Sequence, residues 1–100
     1  MVVAKGKKTA KFNAAEISQL AKNKPVVYKI LDSSSNNIYT GIAKRGRVEE
    51  RIKEHLPGKK DQIPGGVKVK IEQKPSIGEA LKSEAAIIKR SQPKHNKKGK

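Results

Sequence analysis

Val26–Ala43 reads VVYKILDSSSNNIYTGIA, and the fold turns on how it is read. Val26–Leu31 is rich in β-branched and aromatic side chains, the composition of a strand. Alternation puts Val26, Tyr28 and Ile30 on one face and Val27 and Leu31 on the other. Both faces are largely apolar, which suits a central strand covered on each side. Asp32–Asn37 is a turn composition whose asparagines tolerate a positive φ. A second strand follows, from Ile38 to Ile42 or Ala43. So short a polar loop joins the two as an antiparallel hairpin, with Tyr28 and Tyr39 on neighbouring strands. Taken alone, both tyrosines read as ordinary strand aromatics with their hydroxyls at the surface.

Downstream, Arg47–Leu56 (RVEERIKEHL) has helical spacing, with Val48, Ile52 and His55 or Leu56 facing a core. Arg47, Arg51 and His55 form a stripe beside that apolar side, where a guanidinium can reach into a cleft while its stem packs. Arg51 can equally pair with Glu50 or Glu54. Pro57–Gly66 is a loop full of breakers, and Val67–Glu72 alternates as a third strand whose lysines guard an edge. Ser76 and Glu79 form a capping box that starts a helix ending by Gln92, ahead of Pro93. Ile77, Leu81 and Ile88 make its apolar stripe, flanked by Ala80 and Ile87, and Glu84 falls at the centre. A carboxylate aimed at a core must pair with a cation, hold a metal or stay protonated. Upstream, Asn13 and Glu16 cap a helix running to about Lys22, stapled by Phe12 onto Ile17. Met1–Lys11 reads as a flexible basic arm.

The chain has 100 residues, three of them aromatic, and a formal charge of +15. One small domain with a modest core is expected. Such a charge excess is the footprint of a polyanion, nucleic acid first. Without cysteine there are no disulfides, thiolate metal sites or cysteine nucleophiles. No apolar run has the length of a signal peptide or membrane span, so a cytoplasmic protein without membrane contact is expected. No glycine cluster matches a phosphate loop. A zinc site from His55, His95 and Glu84 has no recognised spacing.

The segment Val26–Asn96 resembles the GIY-YIG nuclease family, which includes the small nuclease domains of nucleotide-excision repair proteins. Val26-Val27-Tyr28 stands where the family has Gly-Ile-Tyr, and Tyr39-Thr40-Gly41 where it has Tyr-Ile-Gly. RVEERIKEH resembles the family's arginine helix, and EALKSEAAIIKRSQPKHN its last block, with Asn96 following Pro93. Val26 and Thr40 depart from the pattern without removing a side chain that the chemistry uses.

The resemblance implies an α+β fold, a small three-stranded antiparallel sheet with flanking helices. It implies a nuclease domain over 25–96; outside it, the residues themselves read as a basic arm plus N-terminal helix over 1–24 and a basic tail over 97–100. The implied activity is hydrolysis of phosphodiesters with one divalent metal, magnesium or in its place manganese, held by Glu84. Tyr28 would be the general base, its pKa lowered by nearby cations or its proton relayed through a neighbour. Arg51 would stabilise the phosphate, Tyr39 and His55 would orient water and phosphate, and Asn96 would pin the tail across the site. Lys44, Arg45, Arg47, Lys59, Lys60 and Lys94 would grip the backbone of nucleic acid, DNA rather than RNA, without reading sequence. Specificity would then be for structure or come from a targeting protein partner. The alternative is a basic nucleic-acid-binding module of the same fold that no longer cleaves.

Overall fold

Apolar alternation places the strand at Val26–Leu31 in the centre of the sheet, and the computed structural model has it there. The structure describes residues 8–21, 23–56, 58–59 and 61–91. In chain order these form β1 (Thr9–Lys11), α1 (Ala14–Ile17), β2 (Val26–Leu31), β3 (Asn37–Ala43), α2 (Val48–Lys53), β4 (Lys68–Gln73) and α3 (Ile77–Ser91). The sheet is antiparallel in the order β1-β4-β2-β3. It has four strands where three were expected. The extra one, β1, falls in the segment read as a flexible arm. There Thr9, Ala10 and Lys11 pair with Lys70, Val69 and Lys68. β4 is consequently an interior strand, and its lysines do not guard an edge.

Strand alternation decides the packing. Val26, Tyr28 and Ile30 join Val69 and Ile71 of β4 in one core with Ile17, Leu20, Val48, Ile52 and Leu56 from the helical side. α1 and the turns after it therefore belong to the same core as the sheet. α1 stops at Ile17 rather than near Lys22 because the following turns tighten: Gln19 and Leu20 donate to the carbonyls of Glu16 and Ile17, three residues back. Its cap is as expected, with the Glu16 amide donating to Asn13 Oδ1 at 2.9 Å. Ser18 Oγ donates to Glu49 Oε2 at 2.8 Å, which ties the end of α1 to α2.

In the β2–β3 turn, Asp32 Oδ1 accepts from the amides of Ser34 and Asn36, both at 2.9 Å. The positive φ of 67° falls on Ser35 and not on an asparagine. α3 begins at the expected cap, the Glu79 amide donating to Ser76 Oγ at 3.2 Å. It packs against β3 and β2. Its rotation differs from the expected one: Ala80 and Ile87 are buried and Leu81 is 50% exposed. The flank of the apolar stripe is thus its centre, and Glu84 stands between the two buried positions, half-buried.

Candidate active site

Tyr28 is fully buried in mid-β2, and β3 leaves room for its ring only because Gly41 stands opposite it. A Cβ at Gly41 would lie 2.6 Å from Tyr28 Oη and 3.0 Å from the Tyr39 ring. Gly41→Ala is therefore expected to destabilise the fold by about 1–3 kcal/mol by overpacking. It should also displace the Tyr28 hydroxyl, so that cleavage falls by more than the lost stability explains. Paired unfolding and rate measurements check this, and an unchanged rate would remove Gly41 from the site.

The Tyr28 hydroxyl lies 2.7 Å from His55 Nε2, and His55 Nδ1 lies 2.8 Å from the main-chain oxygen of Asp61. A carbonyl only accepts, so Nδ1 carries the proton and donates to it. In neutral His55, Nε2 is then an acceptor and Tyr28 the donor. Burial holds His55 below its ordinary pKa, against the opposing pull of the Asp61 carbonyl. Burial pushes Tyr28 well above the usual tyrosine value, reinforced by Tyr39 and opposed by Arg51. The expected lowering of the Tyr28 pKa is thus reversed, because one half-exposed guanidinium does not outweigh loss of solvent around a buried phenol. Tyr39 is raised for the same first reason, again against Arg51. Its ring centroid is 6.1 Å from that of Tyr28 and 4.6 Å from that of His55. Neither tyrosine is a plain surface aromatic.

Arg51 extends from α2 beside this trio. Its Nη1 donates to Glu54 Oε1 and, at 3.3 Å, to Asp61 Oδ2. Burial disfavours its charge, but the surrounding acidic groups (Tyr28, Glu54, Tyr39 and Asp61) outweigh that and raise its pKa. Asp61 therefore holds two site residues at once, His55 through its main chain and Arg51 through its carboxylate. It sits in the Pro57–Gly66 loop, whose composition shows only chain breakers.

Glu84 faces the group from α3. Its charge raises the pKa of both tyrosines, and Arg51 partly stabilises it. Burial nonetheless lifts its own pKa above the carboxylate norm. Among the described residues it has neither a hydrogen bond nor an ion pair. A half-buried carboxylate left without a partner among the described residues, beside a guanidinium and two tyrosines, suits a hard divalent cation. A single carboxylate suits magnesium, which keeps most of its waters. Among the described residues no group of three His, Asp or Glu is able to bind a metal, and both nitrogens of His55, one of the three residues of the zinc reading, are engaged in hydrogen bonds.

A cleft of ≈ 540 Å³ opens next to Arg51, between the end of β3, the start of α2 and the first turns of α3. Ile42, Ile77 and Leu81 supply apolar lining, and Lys44 and Arg47 supply charge. Arg47 also pairs with Glu50 at 3.0 Å, in solvent. Arg45 and Lys59 are exposed. Asn96, Lys60 and Lys94, together with His95, lie outside the described residues. Tyr28, Tyr39, Arg51, His55 and Glu84 thus come together in one place.

No curated protein sequence matches the chain. Among solved structures it is similar to the GIY-YIG N-terminal endonuclease domain of UvrC from Thermotoga maritima bound to magnesium, its catalytic divalent cation. The TM-score is 0.64 at 27% identity, covering 77% of this chain and 88% of that one. Point mutants of the same domain, also with the cation bound, match at TM-scores of 0.63 and 0.64 with 26% identity. The first covers 76% of this chain and 86% of that one, the second 77% and 87%. Residues 24–98 match the model of the GIY-YIG catalytic domain, and with three quarters of its length inside that match the chain belongs to this family of nucleases.

Proposed function

We propose that the chain is a divalent-metal-dependent endonuclease that hydrolyses phosphodiesters in DNA rather than RNA, with Glu84 as its metal anchor. The observation that carries the reading is the fixed Tyr28–His55–Asp61 chain of hydrogen bonds beside an unpartnered Glu84.

Tyr28 is too hard to ionise to serve as a free phenolate. It acts as a relay: as it accepts a proton from the attacking water, it passes its own to His55 Nε2. The Asp61 carbonyl on Nδ1 keeps the ring oriented and supports the positive charge that forms there. Tyr39, packed on both rings, confines the water. Arg51, aimed by Glu54 and Asp61, offers its free donors to the scissile phosphate, where charge builds in the transition state. A divalent cation on Glu84 supplies Lewis-acid stabilisation of the phosphate and of the leaving 3′-oxygen. Lys44, Arg45, Arg47 and Lys59 grip the flanking backbone, Lys60 and Lys94 extend that grip, and Asn96 closes the site.

The likeness to the UvrC domain favours DNA and a repair-type role. No helix among the described residues is long and apolar enough to cross a membrane. A non-catalytic binding module of the same fold is disfavoured, since a site that had lost its chemistry would not keep Arg51, His55 and Glu84 arranged around one buried tyrosine.

The test is cleavage of flapped, branched and plain DNA, and of RNA of matching shape, with magnesium or manganese and with chelator. DNA should be cut only with metal present. A protein that binds every substrate and cuts none with either metal is the binding module instead.

A further inference from the structure

Lys29 of β2 stands directly opposite Lys70 of β4, and Lys68 of β4 stands directly opposite Lys11 of β1. Alternation along the strands puts all four on one face of the sheet, the face turned away from Tyr28. Lys11, Lys68 and Lys70 are exposed and Lys29 is half-buried. A shallow cavity of ≈ 300 Å³ there is lined by Lys8, Thr9, Lys29 and Lys70. Glu72, the acid at its rim, is already engaged by Lys74 at 3.1 Å.

Like charges directly opposite on neighbouring strands destabilise a sheet. Here two such pairs lie side by side. Lysines are often placed on edge strands to block aggregation, but β4 is interior, so Lys68 and Lys70 have no such duty. The arrangement also depends on β1, which lies before the 24–98 stretch that matches the family.

We propose that this lysine face is a second nucleic-acid contact, which binds phosphodiester backbone on the side of the sheet turned away from Tyr28. Each facing pair brings two ammonium groups to adjacent backbone phosphates, and the bound anions remove the repulsion that the free protein carries. The contact is to phosphate and reads no bases. One straight duplex does not lie against both faces of a sheet. Where the Tyr28 side holds the arm to be cut, as the nuclease reading requires, the lysine face takes another, and the preferred substrate has a branch or flap.

The test measures binding without metal, so it does not depend on cleavage. Lys29→Gln with Lys70→Gln is compared with wild type on three-armed DNA and on plain duplex, across a salt series. The variant should lose the preference for the branched form. Its log-affinity should depend less steeply on log-salt, by about 2 for two lost phosphate contacts. Its thermal midpoint should be no lower than that of wild type, since repulsion has been removed. Wild-type affinity and salt slope in the variant would overturn the proposal. So would unchanged DNA binding together with lost binding to polyglutamate, which would assign the face to an acidic protein. If Lys29→Gln disturbs the half-buried position, Lys11→Gln with Lys68→Gln asks the same question on exposed residues alone. A wild-type protein that never cuts but shows this loss would refute the nuclease reading and leave the second contact standing.

Discussion

In Glu84→Gln, cleavage falls by at least ~10²–10³, the typical loss of one electrostatic contact to a transition state. At neutral pH without divalent metal, the same variant is more stable than wild type. The sign follows from the direction of the Glu84 shift. Its folded pKa lies above the unfolded value, chiefly through burial. The stability that the protonated group contributes is complete below the unfolded pKa and is lost as pH rises through the folded one. At pH 7 the ionised carboxylate therefore works against the fold, and glutamine removes that burden in almost the same volume. Adding magnesium should raise the melting midpoint of wild type, because a ligand that binds only the folded state stabilises it. The midpoint of Glu84→Gln should not respond. A variant that melts lower than wild type in chelator would make Glu84 a structural ion-pair residue. A magnesium response equal to wild type would place the metal elsewhere.

Tyr28→Phe is the second large effect. Cleavage should fall by ~10²–10⁴, the range for a positioned general acid or base. The ring still fills its place beside Gly41, but His55 Nε2 is left buried without a donor, at a stability cost of about 1–3 kcal/mol. The pH profile of the wild type carries the sharper signature. His55 must be neutral to accept from Tyr28, and its pKa is lowered by burial. Activity should be full above the ordinary histidine pKa of about 6.5 and fall as pH drops through the lowered value. Stability follows the same direction, since the unfolded chain takes up the histidine proton first as pH falls through that window. Because Tyr28 is held well above its usual value, the rate should stay flat between pH 8 and 10. A rate that climbs steadily through that interval would identify a free phenolate as the base and dismiss the relay through His55.

Much of this was legible in the chain itself. The alternation of Val26–Leu31 located the central strand, and Asp32–Asn37 located the turn of its hairpin. Asn13 and Ser76 cap the helices they were read to cap. Glu84 is conspicuous in the sequence alone, as a carboxylate within an apolar stripe. Arg51 and His55 lay at the edge of an amphipathic pattern. All of these are local signals, spacings of two, three or four residues that the backbone geometry of strand and helix imposes.

What the tertiary structure alone decided involves residues far apart in the chain or in segments without periodicity. β1 is three residues long, too short to show alternation, and exists because β4 offers it a partner 59 residues later, as in Ala10↔Val69. The rotation of α3, which exposes Leu81 and buries Ala80 and Ile87, depends on the surface that β2 and β3 present. Asp61 orients both His55 and Arg51 from a loop whose composition showed only where the chain turns. The direction of the Tyr28 shift is the clearest case. Neighbouring cations in the sequence argued for a lowered pKa, whereas packing against α2 and Gly41 removed the solvent and raised it. Periodicity identifies the face on which a side chain lies. How dry that face becomes, and which group waits across it, is set only when distant elements close over it.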